Sequence, residues 1–177
     1  ALSDGRVNLD IKLCQLVRLY KDGSPYKMSK RAGNFVTLSD MISEVGKDVV
    51  RFLMLTRKND AQLDFDFDKA LEQSKDNTVF YVQYAFARIN SLHRSLDIDL
   101  NSKILLNEKT FKLNSNEEKI IRKIFEWPKV IESASKKFEI HKIPFYLYDL
   151  ATLFHSYWSK GNENKKYKFI EGEKIKR

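Results

Sequence analysis

Apolar positions along this chain change period near Thr37. Between Lys12 and Lys27 they alternate, Leu13, Gln15, Val17 and Leu19 on one face and Cys14, Leu16, Arg18 and Tyr20 on the other. That is the two-residue repeat of a strand. Lys21-Asp22-Gly23-Ser24 reads as a tight turn, Asp-Gly tolerating the left-handed backbone of a two-residue hairpin loop. Pro25-Tyr26-Lys27-Met28 reads as the short return strand. Two strands cannot bury a core by themselves. The hairpin is expected to pack on the helices that follow or to belong to a larger sheet, and the second, with most of that sheet missing, is the preferred reading.

From Thr37 onward the spacing becomes helical. Thr37 and Asp40 form a capping-box pattern. Leu38, Met41, Ile42 and Val45 then give one apolar face, with Gly46 as the stop. A second helix is expected over 48–56 on Val49, Phe52, Leu53 and Leu55. The run Leu63-Asp64-Phe65-Asp66-Phe67-Asp68 alternates apolar and acidic residues but lacks the spacing and glycine of a calcium loop. It reads as an aromatic-anchored connection, with Asp68 placed to cap the next helix. Over 69–96, Val82, Ala85, Ile89, Leu92 and Leu96 make one buried stripe, and Tyr81, Tyr84 and Arg88 share a neighbouring face. Residues 97–114 read mainly as loop. Ser115 and Glu118 predict a capping box for a helix carrying Ile120, Ile124, Trp127, Ile131, Ala134 and Phe138, which Pro128 should kink or split. Pro144 can begin a last helix on Leu147, Leu150, Ala151, Phe154 and Tyr157 or Trp158, ended by Gly161. The pattern predicts a mainly α chain: an antiparallel helical bundle preceded by a short β-hairpin.

Composition narrows the function. At 177 residues and 42% hydrophobic the chain can hold one domain, or one plus part of another, and global disorder is excluded. No run approaches the roughly 18 apolar residues of a membrane span. Ala1-Leu2-Ser3-Asp4-Gly5 lacks the pattern of a signal peptide. A single cysteine, Cys14, excludes an internal disulfide and a Cys-rich metal site, which fits the cytoplasm. His141 and His155 have no third ligand in sequence, so packing roles are expected and no metal. The net charge of +8 suits a phosphate-rich partner, or simply a Lys-rich soluble protein.

Two stretches carry candidate chemistry. Lys27-Met28-Ser29-Lys30-Arg31 sets three cations within five residues, and Gly33 lets the backbone approach a ligand. Such a loop suits a polyphosphate whose charge grows as a bond breaks; the alternative is a solvated turn. Tyr81, Tyr84 and Arg88 can stack on bases and bond phosphates. Alternatively the tyrosines close the core and Arg88 meets a carboxylate. The stretch Asn162 to Lys168 reads as a flexible basic loop against RNA, or as solvated chain.

The loop Lys27 to Arg31 resembles the K-M-S-K-S signature of class I aminoacyl-tRNA synthetases. By that resemblance Lys27 and Lys30 are the catalytic lysines, Lys30 being the main contact to departing pyrophosphate, and Lys27, Met28, Ser29, Lys30 and Arg31 bind ATP. Arg31 replaces the final signature serine, so the role of that hydroxyl is not carried over. Asn34-Phe35-Val36-Thr37-Leu38, Glu44-Val45-Gly46 and Arg51-Phe52 follow in the order seen in arginyl and cysteinyl enzymes alike. Leu63 to Asp68, then Glu72-Gln73-Ser74 and Tyr81-Val82-Gln83-Tyr84-Ala85, point to the arginyl enzymes, although that family more often has Asn-Pro at Asn77-Thr78 and His at Phe86.

The resemblance runs from about Leu9 to Gly161, loosely between Asp97 and Ile140. It implies that 1–36 is the end of a Rossmann-type catalytic domain, 37–67 connecting helices, and 68–177 a helical anticodon-binding domain. Tyr81, Gln83, Tyr84 and Arg88 would bind tRNA. The implied parent is a monomeric arginine–tRNA ligase using ATP and Mg2+, with arginine tRNA as partner and ATP and arginine bound only by the full-length enzyme. An HIGH-type motif is absent, so the chain alone is predicted to make no adenylate. The family continues into one more apolar helix, so a truncated or disordered end and an exposed strip of core are expected. The alternatives are a cysteinyl-tRNA synthetase fragment, a non-catalytic RNA-binding helical module, or a helical adaptor without a nucleic-acid partner.

Overall fold

The structure, a computed structural model, describes residues 11–26, 28, 33, 35–96, 112–171 and 174–175. The chain divides into two compact units, 1–71 and 72–177.

In the first unit, β1 (Val17–Lys21) and β2 (Ser24–Pro25) form the hairpin, Tyr20 opposite Pro25 and Lys21 opposite Ser24. Asp22 and Gly23 both take positive φ, 52° and 68°, as a turn matched to the strand twist requires. The hairpin is shorter than the alternation suggested, because Ile11, Leu13 and Leu16 are exposed. A larger correction concerns Leu63 to Asp66. It is not a connection but a strand, β3, running parallel to β1 with Val17 opposite Leu63 and Leu19 opposite Phe65. The order is β2-β1-β3, so the hairpin finds a sheet partner within its own chain. The acidic residues alternate outward while Leu63 and Phe65 are buried.

Helices α1 (Leu38–Val45) and α2 (Lys47–Leu55) pack with this sheet. The capping box forms as expected, Asp40 N–H donating to Thr37 Oγ1 at 3.1 Å and Thr37 N–H to Asp40 Oδ2 at 2.8 Å. Gly46, at φ 87°, ends α1 and begins α2. The apolar faces are narrower than predicted. Met41, Val45 and Val50 are buried, whereas Leu38, Ile42 and Leu55 are exposed. Val49, Leu53 and Met54 of α2 pack against the core while only partly buried. The core joins Leu19, Met41, Val45, Val50, Phe65, Phe67 and Ala70. Asp68 does not cap α3 (Phe67–Leu71). Asp66 Oδ1 accepts from the N–H groups of Asp68 and Lys69, and Asp68 Oδ2 accepts from Asp22 N–H at 2.7 Å, pinning the hairpin turn.

In the second unit, α4 (Thr78–Leu96) begins only after a break at 72–77, so 69–96 is not one helix. Asn77 makes the break: its Oδ1 accepts from Val79 and Phe80 N–H, and its Nδ2 donates to Glu72 O. Helix α5 (Ser115–Phe125) is capped one residue earlier than predicted. Asn114 Oδ1 accepts from Asn116 and Glu117 N–H, and Glu117 Oε2 from Asn114 N–H. Pro128 splits the helix as expected, α6 (Trp127–Lys137) starting afresh after Glu126 with proline in its first turn. Phe138 then turns left-handed at φ 55°.

Helix α7 (Lys142–Glu163) packs against α4, α5 and α6. Gly161 does not end it. A Cβ there would lie 2.9 Å from Tyr167 O, so the glycine lets a 3-10 turn, Lys165–Tyr167, close onto the helix. Beyond the turn, β4 (Ile170–Glu171) and β5 (Lys174–Ile175) pair antiparallel, so the tail holds more structure than a loop. Ala85, Ala151 and Phe154 form the core, flanked by Tyr81, Val82, Trp158 and Phe169. The predicted α5–α6 stripe is largely outside it. Ala134 is buried, but Ile124, Trp127, Ile131 and Phe138 are exposed, as is Ile89 of α4. The loop expected over 97–114 falls mostly outside the described residues. No helix among the described residues is long and apolar enough to cross a membrane.

Candidate nucleic-acid interface

Helical spacing of three and four sets Tyr81, Tyr84 and Arg88 along one side of α4, and α7 decides what each side chain meets. Arg88 Nη2 donates to Tyr84 OH at 2.7 Å. Its guanidinium carbon lies 4.2 Å from the Tyr84 ring centroid and 4.9 Å from that of Trp158. The cation is held between one ring from each helix, where the π faces favour a planar charge. Among the described residues its partners are aromatic, not the carboxylate that sequence left open. Tyr84 stacks on Phe80, with centroids 5.7 Å apart, and on His155 at 5.6 Å, yet keeps 42% of its surface exposed. Gln83 beside it is exposed. Tyr81 turns inward, its ring 4.4 Å from His155 and 5.5 Å from Tyr148. Tyr81 therefore helps close the core, while Gln83 and Tyr84 are exposed and Arg88 is half-buried.

His155, Trp158 and Tyr148 were not singled out as site residues by sequence reasoning. Trp158 sat on the predicted apolar face of α7. What sequence lacked was the pairing of α7 with α4. His155 is buried, and its Nε2, taken as the protonated nitrogen, donates to Tyr81 O at 3.0 Å. Burial holds its pKa below the usual imidazole value, the hydrogen bond to Tyr81 opposes that shift, and the Arg88 charge adds to it. Over the interval between folded and unfolded values, the unfolded chain binds more protons than the folded one. The stability conferred by neutral His155 is complete above about pH 6.5 and is lost as pH falls from there through the lower folded value. The denaturation midpoint should therefore fall between about pH 7.5 and about pH 5.5, and His155→Gln should flatten that fall. An unchanged slope in the variant would assign the proton uptake to another group.

This face can do two things chemically. Tyr84, 42% exposed, can contact a base with the part of its ring that its neighbours leave uncovered, and the guanidinium beside it can bond a base edge or a phosphate. The exposed Gln83 amide adds a donor and an acceptor.

Of the predicted ATP loop, Met28 is exposed and Gly33 has φ 73°, while Lys27, Ser29, Lys30 and Arg31 lie outside the described residues. The ground on either side is well fixed. Tyr26 N–H donates to Leu19 O at 2.8 Å before the loop, and the Thr37 capping box follows it. Lys21 Nζ bonds Glu44 Oε1 at 2.6 Å below. The carboxylates of the Leu63–Asp68 run are each engaged locally. Arg18 grips Asp64 with two bonds of 2.7 and 2.8 Å, Asp66 caps α3, and Asp68 holds the hairpin turn at Asp22. No group of three His, Cys, Asp or Glu among the described residues is placed to hold a metal ion.

The profile of the DALR anticodon binding domain matches residues 82–174. An arginine–tRNA ligase of Ruegeria pomeroyi is 56% identical over 175 residues, covering 97% of this chain. One from Pelagibacter ubique is 49% identical over 174 residues, covering 98% of it. The chain spans 30% of the length of each. A solved structure from Campylobacter jejuni, described as an arginyl-tRNA synthetase, superposes with a TM-score of 0.73 at 34% identity, over 86% of this chain and 32% of the other. With the profile matched across more than half of its residues, and arginine–tRNA ligases matching nearly all of them, the chain belongs to the DALR anticodon-binding domain family.

Proposed function

We propose that this chain is the tRNA-binding part of an arginine–tRNA ligase, which activates arginine with ATP and esterifies it to its tRNA. The observation that carries the reading is the guanidinium of Arg88 lying over the rings of Tyr84 and Trp158, with Tyr84 42% exposed and Gln83 exposed beside it in sequence. It is a stacking platform on a domain of an anticodon-binding family. Residues 68–177 would engage the anticodon arm of arginine tRNA, 37–67 would connect, and 1–36 would end the catalytic domain. Lys27 and Lys30, within the ATP-binding run Lys27 to Arg31, would stabilise the charge that grows on departing pyrophosphate. Magnesium would arrive with the nucleotide, as it usually does at phosphate sites. The parent enzyme would be a cytoplasmic monomer, and this chain alone would form no adenylate.

The test is binding of the chain to arginine tRNA, cysteine tRNA and an arginine tRNA with a swapped anticodon, each across a salt series. Preference for arginine tRNA that the swap abolishes is expected. Equal, steeply salt-dependent binding to all three would reduce the interaction to generic phosphate attraction and remove the anticodon-reading role.

A further inference from the structure

The aromatic cluster does not stop at Trp158. Phe169 packs on the same helix, its ring 5.7 Å from Trp158, 5.7 Å from Phe154 and 4.7 Å from Tyr157. Phe169 lies two residues past the 3-10 turn, whose fold is set by its own hydrogen bonds. Asn164 Oδ1 accepts from Lys166 N–H, Tyr167 N–H donates to Asn164 O, and Lys168 N–H donates to Lys165 O. The turn lies on α7 at Gly161, where an added Cβ would sit 3.3 Å from Lys168 Cα. Gly161 and Trp158 are three residues apart, about 4.5 Å along the helix. The chain therefore returns the basic stretch Lys165-Lys166-Tyr167-Lys168 to α7 about one helical turn from Trp158, whose ring lies against Arg88. Lys166 and Lys168 are exposed there, and neither takes part in an ion pair among the described residues.

We propose that Lys166 and Lys168 bind phosphates of the tRNA strand whose bases meet Tyr84, Gln83 and Arg88. This rests on the tRNA-binding reading above and extends its surface from α4 across Trp158 to the turn. The division of labour follows from the side chains. A stacked ring and a clamped guanidinium favour bases, which are planar. Lysines on flexible stems act as point charges, which suit phosphates and carry no sequence information. Gly161 and Phe169 seat the turn so that the strand meets the two surfaces in succession.

The experiment is titration of the full chain with arginine tRNA and with its anticodon-swapped form across a salt series, comparing wild type with Lys166→Ala/Lys168→Ala and Lys166→Arg/Lys168→Arg. Circular dichroism confirms that each variant is folded. The alanine variant should lower the slope of log affinity against log salt by about 0.7–0.9 per lysine and weaken both tRNAs by the same factor. The arginine variant should keep the wild-type slope. An alanine variant with wild-type slope and affinity overturns this proposal while leaving the tRNA-binding reading intact. Failure of the wild-type chain to bind arginine tRNA at any salt overturns that reading, and this proposal with it.

Discussion

Replacing Tyr84 with alanine is expected to weaken binding of arginine tRNA by about 1–3 kcal/mol, roughly 5- to 150-fold, the range measured for loss of a base-stacking aromatic. Three losses coincide at this residue. The exposed part of the side chain disappears, Arg88 loses the hydroxyl it donates to, and one of the two rings it lies over goes. Stability should change much less, because Tyr84 is among the exposed residues of α4. Tyr84→Phe keeps the ring and removes only the hydroxyl, so its loss should be smaller. Arg88→Lys keeps the charge but forfeits the planar fit between rings, and should fall nearer to the alanine variant than its conservative look suggests. Titration at fixed salt checks all three. A Tyr84→Ala chain that binds like wild type would falsify the assignment of tRNA contact to this face.

The largest stability effect belongs to the first unit. Phe65→Ala should cost about 3–5 kcal/mol, the usual penalty for emptying a buried phenylalanine site. Phe65 is 1% exposed, its ring meets Phe67 edge-on at 5.2 Å, and it faces Leu19 across the parallel β1–β3 pair. Typical domains are stable by only about 5–15 kcal/mol, so a unit of this size should lose most of its folded population margin. Hydrogen exchange reads this directly, as faster exchange at the amides of β1 and β3. A cost below about 1 kcal/mol would mean that the site closes around the smaller side chain.

Local chemistry was legible in the sequence wherever neighbours in the chain decide the structure. The Asp22-Gly23 turn, the Thr37 capping box, the Gly46 stop and the helix break at Pro128 all depend on residues a few positions apart. Errors arose where distant residues decide. Leu63 to Asp66 alternates like a strand, but only its pairing with β1 makes it one. Gly161 looks like a helix stop until Tyr167 is known to press against it. Ile124, Trp127 and Ile131 keep helical periodicity without burial, since periodicity describes a face and not what covers it. The cap before α5 slipped by one residue because Asn114 and Ser115 are both good capping residues, and Tyr157 OH, donating to Glu117, supports the Asn114 box from a remote helix. Spacing places Tyr84 and Arg88 on one face of α4. Trp158 and His155, which hold them, come from the other end of the domain.

That α7 is the common partner of α4, α5 and α6 has a consequence for synthesis on the ribosome. The described strands and helices of the first unit are all complete by Leu71, before α7 is made. The second unit has no such early point. Its first helix leaves the exit tunnel long before the last, and at roughly 5–20 residues per second the delay is of the order of seconds. During that interval Tyr81, Val82 and Ala85 lack the surface they are built to meet, and Arg88 lacks the Trp158 ring. Nascent chains stalled before α7 should therefore expose these residues to proteases and holdase chaperones that the finished domain ignores.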